Sequence, residues 1–226
     1  MRGRGSGTQH WRIKETSSIP AFGFDYLHGS ERVDEGGETV KILVAKCHMT
    51  KCLFAHVVPQ KGMDPQNYAV ERLKRDILWL GHNKIILKTD NEHAILSVLR
   101  NTLKALRIEK LEGSQESHPA AYDPSSNGST EIACRTIGGM IAPLRACLES
   151  RIRKQLPVAH CGFAWLVEHA AWLHTIKKKQ SDGITAYQRL RGRSFGPKLL
   201  GFGERCLFML QRKSQDRSLE GKLGSK

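Results

Sequence analysis

The stretch Lys84-Ile85-Ile86-Leu87-Lys88-Thr89-Asp90-Asn91-Glu92-His93-Ala94-Ile95 decides the fold. Its first half is an apolar strand. Its second half opens a helix over about 91–106, with Ala94, Ile95, Val98, Leu99, Leu103 and Leu106 on one side. Asp90 stands at the junction. A carboxylate there has two uses: it caps the helix that follows, or it holds a metal at the mouth of the strand.

Upstream, AFGFDYL (21–27) is a short strand that looks buried, with Asp25 inside it. TVKILVAKCHM (39–49) and KCLFAHVVP (51–59) are rich in apolar and β-branched residues and form two antiparallel strands joined by a tight turn near Met49–Lys51. A helix follows over 64–81, capped by Asp64, with Pro65 at its first position and Gly81 closing it. Beyond the opening stretch, IEKLEGS (108–114) is a short strand. A long helical pattern then runs from Ser129 to Arg153, with Pro143 expected to kink or break it, and another covers 161–176.

The order β-β-β-α-β-α-β is that of an α/β chain with a mixed sheet flanked by helices. If strands two and three form an outer hairpin, strands one and four are neighbours. Asp25 and Asp90 then stand side by side, at the carboxyl ends of strands where α/β sheets build their sites. Glu131, in the first turn of the long helix, is within reach of both.

With 226 residues the chain has room for one domain of about 150 residues plus tails. The formal net charge of +14 favours a polyanionic partner, because each Lys or Arg that neutralises a phosphate releases counterions. The six cysteines lack paired spacing and MRGRGSGTQHWRIKE has no apolar core, which points to reduced thiols in an intracellular protein. The most apolar run, CGFAWLVEHAAWL, is too short and too polar to span a bilayer. Residues 1–18 and 211–226 read as disordered or flexible tails.

Three carboxylates brought together repel unless a cation joins them. Mg²⁺ takes hard oxygen ligands, and a pair of such ions supports in-line phosphoryl displacement. An acidic trio on a basic chain therefore suggests phosphodiester chemistry.

FGFDYL, ILKTDNEHAI and SSNGSTEIACRTI together resemble the catalytic core of retroviral and retrotransposon integrases, the Asp-Asp-Glu enzymes of the ribonuclease H-like fold. The last is similar to the family's Ser-Asn-Gly…Glu motif, here Asn127, Gly128 and Glu131. Forty residues lie between Asp90 and Glu131 and 64 between Asp25 and Asp90, both close to the family pattern. Downstream, DGITAYQRLRGR resembles the Gly-Lys-Thr-Pro-Tyr-Glu segment of copia-type elements, and FGERCLF the start of the small β-domain after it.

The resemblance implies a ribonuclease H-like fold with a mixed five-stranded sheet. It implies a catalytic core over 19–180, with 181–226 as a post-core segment and the start of a truncated β-domain. It also implies Asp25, Asp90 and Glu131 as catalytic residues holding two Mg²⁺ or Mn²⁺ ions. The implied activity is 3′-end processing and strand transfer by a homo-oligomer in the nucleus. DNA is the partner, touched by Asn127, Arg135, Lys177, Lys178, Lys179 and Arg191. The chain departs from the family in Ile132 after the glutamate, in Gly138 where a basic residue is usual, in Pro143, and in lacking the zinc-binding domain that commonly precedes the core. The alternatives are an inactive remnant that only binds nucleic acid, and a nuclease of the same fold.

Cys47, His48, Cys52 and His56 invite a zinc reading. Adjacent strand residues face opposite ways and the spacing fits no common zinc pattern, so core packing is expected. His169 and His174, five apart, miss the helical spacing for a shared ligand. Trp165, Leu166, Leu173 and Ile176 are expected in the core.

Overall fold

A computed structural model describes residues 19–27, 40–109, 113–117, 128–209 and 223–225. The sequence readings of both tails, of Thr39 in the second strand and of Asn127 fall outside these residues, apart from 223–225.

The elements are β1 (Ala21–Tyr26), β2 (Lys41–Cys47), β3 (Leu53–Val58), α1 (Tyr68–Leu80), β4 (Lys84–Lys88), α2 (His93–Ile108) and β5 (Gly113–Ser117). They continue with α3 (Gly128–Ile152), α4 (Cys161–Lys177), α5 (Ala186–Arg191), β6 (Leu207–Met209) and β7 (Leu223–Ser225). The main sheet runs β3-β2-β1-β4-β5. β1 pairs antiparallel with β2 and parallel with β4, and β4 pairs parallel with β5. The outer hairpin and the β1–β4 neighbourhood are thus as the sequence implied.

β1 is buried along its whole length, as a central strand covered on both faces must be. Strand alternation sorts its side chains. Phe22, Phe24 and Tyr26 join Leu43, Ile85 and Leu87 under α1 and α2. On the opposite face, Ile42, Val44, Leu53 and Ala55 meet Ala133, Ile137 and Ile141 of α3 and Phe163, Leu166 and Val167 of α4. Gly23 and Asp25, which alternate with the phenylalanines, therefore look toward α3. α5 also packs on the core: Ala186 is fully buried in the first cluster and Thr185 caps the helix by accepting from Gln188 N. That packing lies beyond the boundary the sequence suggested at 180. β6 and β7 form a separate two-stranded sheet.

Several boundaries differ from the sequence reading. α1 starts at Tyr68, not at Pro65, because Asn67 adopts a left-handed conformation (φ 52°) that no helix can include. Asp64 still serves this turn, accepting from Gln66 N and Tyr68 N. Gly81 closes α1 as expected, at φ 71°. α2 runs on to Ile108, so β5 begins five residues later than read, at Gly113. α3 is not broken at Pro143. A proline ring crowds the carbonyl four residues back, here Gly139. Both residues lie on the exposed side, where water can take the freed carbonyl.

Candidate active site

Asp25 and Asp90 each follow the paired part of neighbouring parallel strands. The β1–β4 register ends at Gly23↔Lys88, and Asp25 and Asp90 each lie two residues further along. Thr89 Oγ1 donates to Phe24 O at 3.0 Å and clamps the two strand ends just there. Asp25 is buried, and its Oδ1 accepts from Tyr26 N at 2.7 Å. Asp90 is half-buried. It stands two residues before the N-cap of α2, Glu92, which makes no side-chain cap bond and pairs with Lys61 at 3.1 Å.

Glu131 arrives through a close approach of α3 to β1. A Cβ added at Gly23 would fall inside contact distance of Thr130 Oγ1 and 2.9 Å from His48 Nε2. Only glycine lets the first turn of α3 settle on the sheet at this point. Glu131 follows Thr130, exposed at the rim, and meets Arg135 one turn on at 3.7 Å.

The Cys134 thiol records where the three carboxylates are. Burial pushes it up to about 12, and the negative charges of Asp25, Glu131 and Asp90 push in the same direction. All three therefore lie within electrostatic reach of one side chain. They do not converge further: among the described residues no three His, Cys, Asp or Glu side chains gather closely enough to hold a metal ion. The donor set is right for a hard cation, with carboxylate oxygens only and one of them buried. Closing it requires Glu131 to exchange Arg135 for the aspartates.

The other residues singled out from sequence are dispersed. Arg135 is exposed beside Glu131. Lys177, Lys178 and Lys179 are exposed at the end of α4. Arg191 is engaged with the core, its guanidinium 4.7 Å from the Trp79 ring and bonded to Trp79 O at 3.1 Å. One N–H is used in this way, and the residue is otherwise exposed. The Cys47–His56 group serves packing and local bonds: Cys47 Sγ lies 3.6 Å from His82 Nε2, and Cys52 is fully buried. Leu166 and Ile176 are core, but Trp165 is 62% exposed, contrary to expectation, because it falls on the outer face of α4.

A cleft of about 510 Å³ lies elsewhere, along the edge strand β3 between α1 and α4. Trp79, Trp165, Trp172 and Phe202 line it, with His56, Asp76 and Glu168 among its polar groups. His56 joins Asp76 at 2.7 Å and Glu168 at 3.4 Å. Sequence reasoning missed this group, whose members lie 20 and 112 residues apart. It also missed Lys46, whose Nζ bonds Ser129 O at the start of α3 at 3.3 Å.

No helix among the described residues is long and apolar enough to cross a membrane. No family model and no curated protein matches the chain. Among solved structures, the chain is similar to the catalytic core domain of BIV integrase, with 19% identity and a TM-score of 0.43 over 75% of this chain and 92% of that one.

Proposed function

We propose that the chain is the catalytic domain of a retrotransposon integrase of copia type, with a ribonuclease H-like fold. It would trim the 3′ ends of element DNA and join them to target DNA, acting as a multimer in the nucleus. The observation that carries this reading is the joint setting of Asp25, Asp90 and Glu131. It is supported by the β1–β4 pairing, which stops two residues short of both aspartates, and by the Gly23–Thr130 approach, which seats the turn carrying Glu131 on β1. The sheet order β3-β2-β1-β4-β5, with only β2 antiparallel to the others, is the arrangement this reading requires.

Asp25 and Asp90 would hold the cation, with Glu131 completing the set. Mg²⁺ or Mn²⁺ bound there supplies Lewis acidity for a phosphate oxygen and a lowered pKa for an attacking water. The chain's own contribution is placement. The Tyr26 amide orients Asp25, the Thr89 bond fixes the strand ends, and the glycine approach fixes α3. Releasing Glu131 from Arg135 costs little, since an exposed i,i+4 pair is worth about 0.3–0.5 kcal/mol. Arg135, once free, stands where a DNA phosphate would approach the carboxylates.

A second reading, an inactive nucleic-acid-binding remnant, draws on the unconverged carboxylates. Strand joining on a branched DNA oligonucleotide with Mn²⁺ or Mg²⁺ separates the two. Joining by the wild type and its loss in Asp90→Asn support the integrase; DNA binding without joining, equal in both proteins, supports the remnant. Hydrolysis without longer products would assign a nuclease of the same fold.

A further inference from the structure

Three lysines lie where β2, the β2–β3 turn and the end of α4 meet, and one of them reaches the first turn of α3. Lys46 pairs with Leu53 across the β2–β3 hairpin. Leu53 is bonded on both sides by one side chain of α4: Thr175 Oγ1 accepts from Leu53 N at 3.0 Å and donates to Leu53 O at 3.2 Å. Lys51 lies two residues before Leu53, in the hairpin turn, and Lys178 lies three residues after Thr175. Lys46 reaches α3 itself through Ser129 O, two residues from Glu131.

This cluster is electrostatically unfavourable as it stands. Burial and then the Lys51 charge hold the Lys46 ammonium below its usual range. Burial, then Lys46, then Lys178 push His174 down to about 4, so it stays neutral at physiological pH. His174 Nδ1 is buried with no hydrogen-bond partner, and no carboxylate of the described residues pairs with Lys46, Lys51 or Lys178. Folding has gathered like charges and left a polar atom unsatisfied, both of which cost stability. An anion seated among the lysines would offset the first.

We propose that Lys46, Lys51 and Lys178, grouped around His174, bind the phosphate backbone of duplex DNA. Lys46 connects this surface to the carboxylates through the start of α3, so a strand held there passes along the first turn of α3 toward Asp25 and Asp90. The choice of DNA over another polyanion rests on the proposed phosphodiester chemistry. The contact itself needs no metal and no reaction. Contacts of this kind fix register and position, not base sequence.

The test is fluorescence anisotropy of a fluorescein-labelled duplex of arbitrary sequence, titrated in EDTA over a series of salt concentrations. EDTA removes any chemistry, so failure of the catalytic reading leaves this outcome unaffected. Two triple variants are compared: Lys46→Gln with Lys51→Gln and Lys178→Gln, and a control on α2, Arg100→Gln with Lys104→Gln and Arg107→Gln, all exposed. The cluster variant is expected to lower the log–log salt slope by about 2.7, or about 0.9 per contact, and the control much less. Lys51→Gln with Lys178→Gln alone, which leaves the half-buried Lys46 intact, is expected to lower it by about 1.8. Equal losses in the cluster and control variants would overturn the proposal in favour of diffuse charge. Competition by poly-glutamate as strong as by unlabelled DNA would assign the surface to an acidic protein and overturn it also.

Discussion

His56 Nε2 lies 2.7 Å from Asp76 Oδ2, and both groups are buried at the edge of the sheet. With Glu168 at the other ring nitrogen, one imidazole ties β3 to α1 and α4. Burial works against the charged ring, but the hydrogen bonds to Asp76 and Glu168 outweigh it and lift His56 from 6.5 to about 9. In this window the folded chain binds more protons than the unfolded one. The stabilisation is complete below pH 6.5 and is lost as pH rises through about 9. Thermal unfolding followed across that range should show Tm falling with pH, and His56→Gln should lack that part of the slope.

Removing one member of this group should cost more than removing the pair. Asp76→Asn leaves a buried imidazolium short of its partner, and the loss expected is about 3–5 kcal/mol in urea unfolding. The double variant Asp76→Leu with His56→Leu should recover part of that, since both desolvated charges disappear together. A single variant no less stable than the double would mean that the pair is not ionised in the folded chain.

Gly23→Ala should damage the site and the fold at once. The added methyl group meets Thr130 Oγ1 and His48 Nε2, so α3 must lift from β1. Overpacking of this kind costs about 1–3 kcal/mol. Thr130→Ala in the same chain removes one of the two obstacles, and a double-mutant cycle should show positive coupling. Glu131 rides on the same turn, so strand joining should fall more than stability does.

How far this was legible from sequence depends on whether neighbours in space were neighbours in pattern. The hairpin, the β1–β4 adjacency and the Gly81 stop follow from local composition and alternation, which the packing then reinforces. The start of α1 did not, because Asn67 departs from helical geometry with nothing in its sequence context to demand it. The strand IEKLEGS was read early because α2 continues past its last buried residue, Leu106, on an exposed turn with no stop signal. For the carboxylates, the β1–β4 adjacency could be read from the element order, but not the glycine approach that seats the first turn of α3 on β1. Lys46 and the His56 group had no signal at all, since their partners lie far along the chain.

The thiols should divide sharply by reactivity. Cys147 and Cys161 are exposed, whereas Cys47, Cys52 and Cys134 are buried. Burial lifts Cys52 to about 11, and Cys134 to about 12 with help from the carboxylates. Only the thiolate attacks a disulfide reagent. Two thiols should therefore react with Ellman's reagent in the native protein within the first phase, Cys206 more slowly, and the buried three only on unfolding. A third fast thiol traced to Cys134 by mass mapping would mean that α3 lifts readily from the sheet.

Divalent cations should stabilise the fold through the same residues that the proposed chemistry would use. A ligand that binds only the folded chain adds about 2.7 kcal/mol when present at a hundred times its dissociation constant. For a domain of this size that corresponds to a rise in Tm of about 5–10 °C. Mn²⁺ titration should show the rise in the wild type and lose it in Asp25→Asn and Asp90→Asn. Glu131→Gln should weaken the effect without abolishing it, because the two aspartates sit at neighbouring strand ends before α3 contributes. Arg135→Ala should increase the affinity about twofold, the worth of the exposed pair that Glu131 must give up. A Tm that stays unchanged at saturating Mn²⁺ would leave Asp25 and Asp90 as structural carboxylates and move the balance to the nucleic-acid-binding remnant.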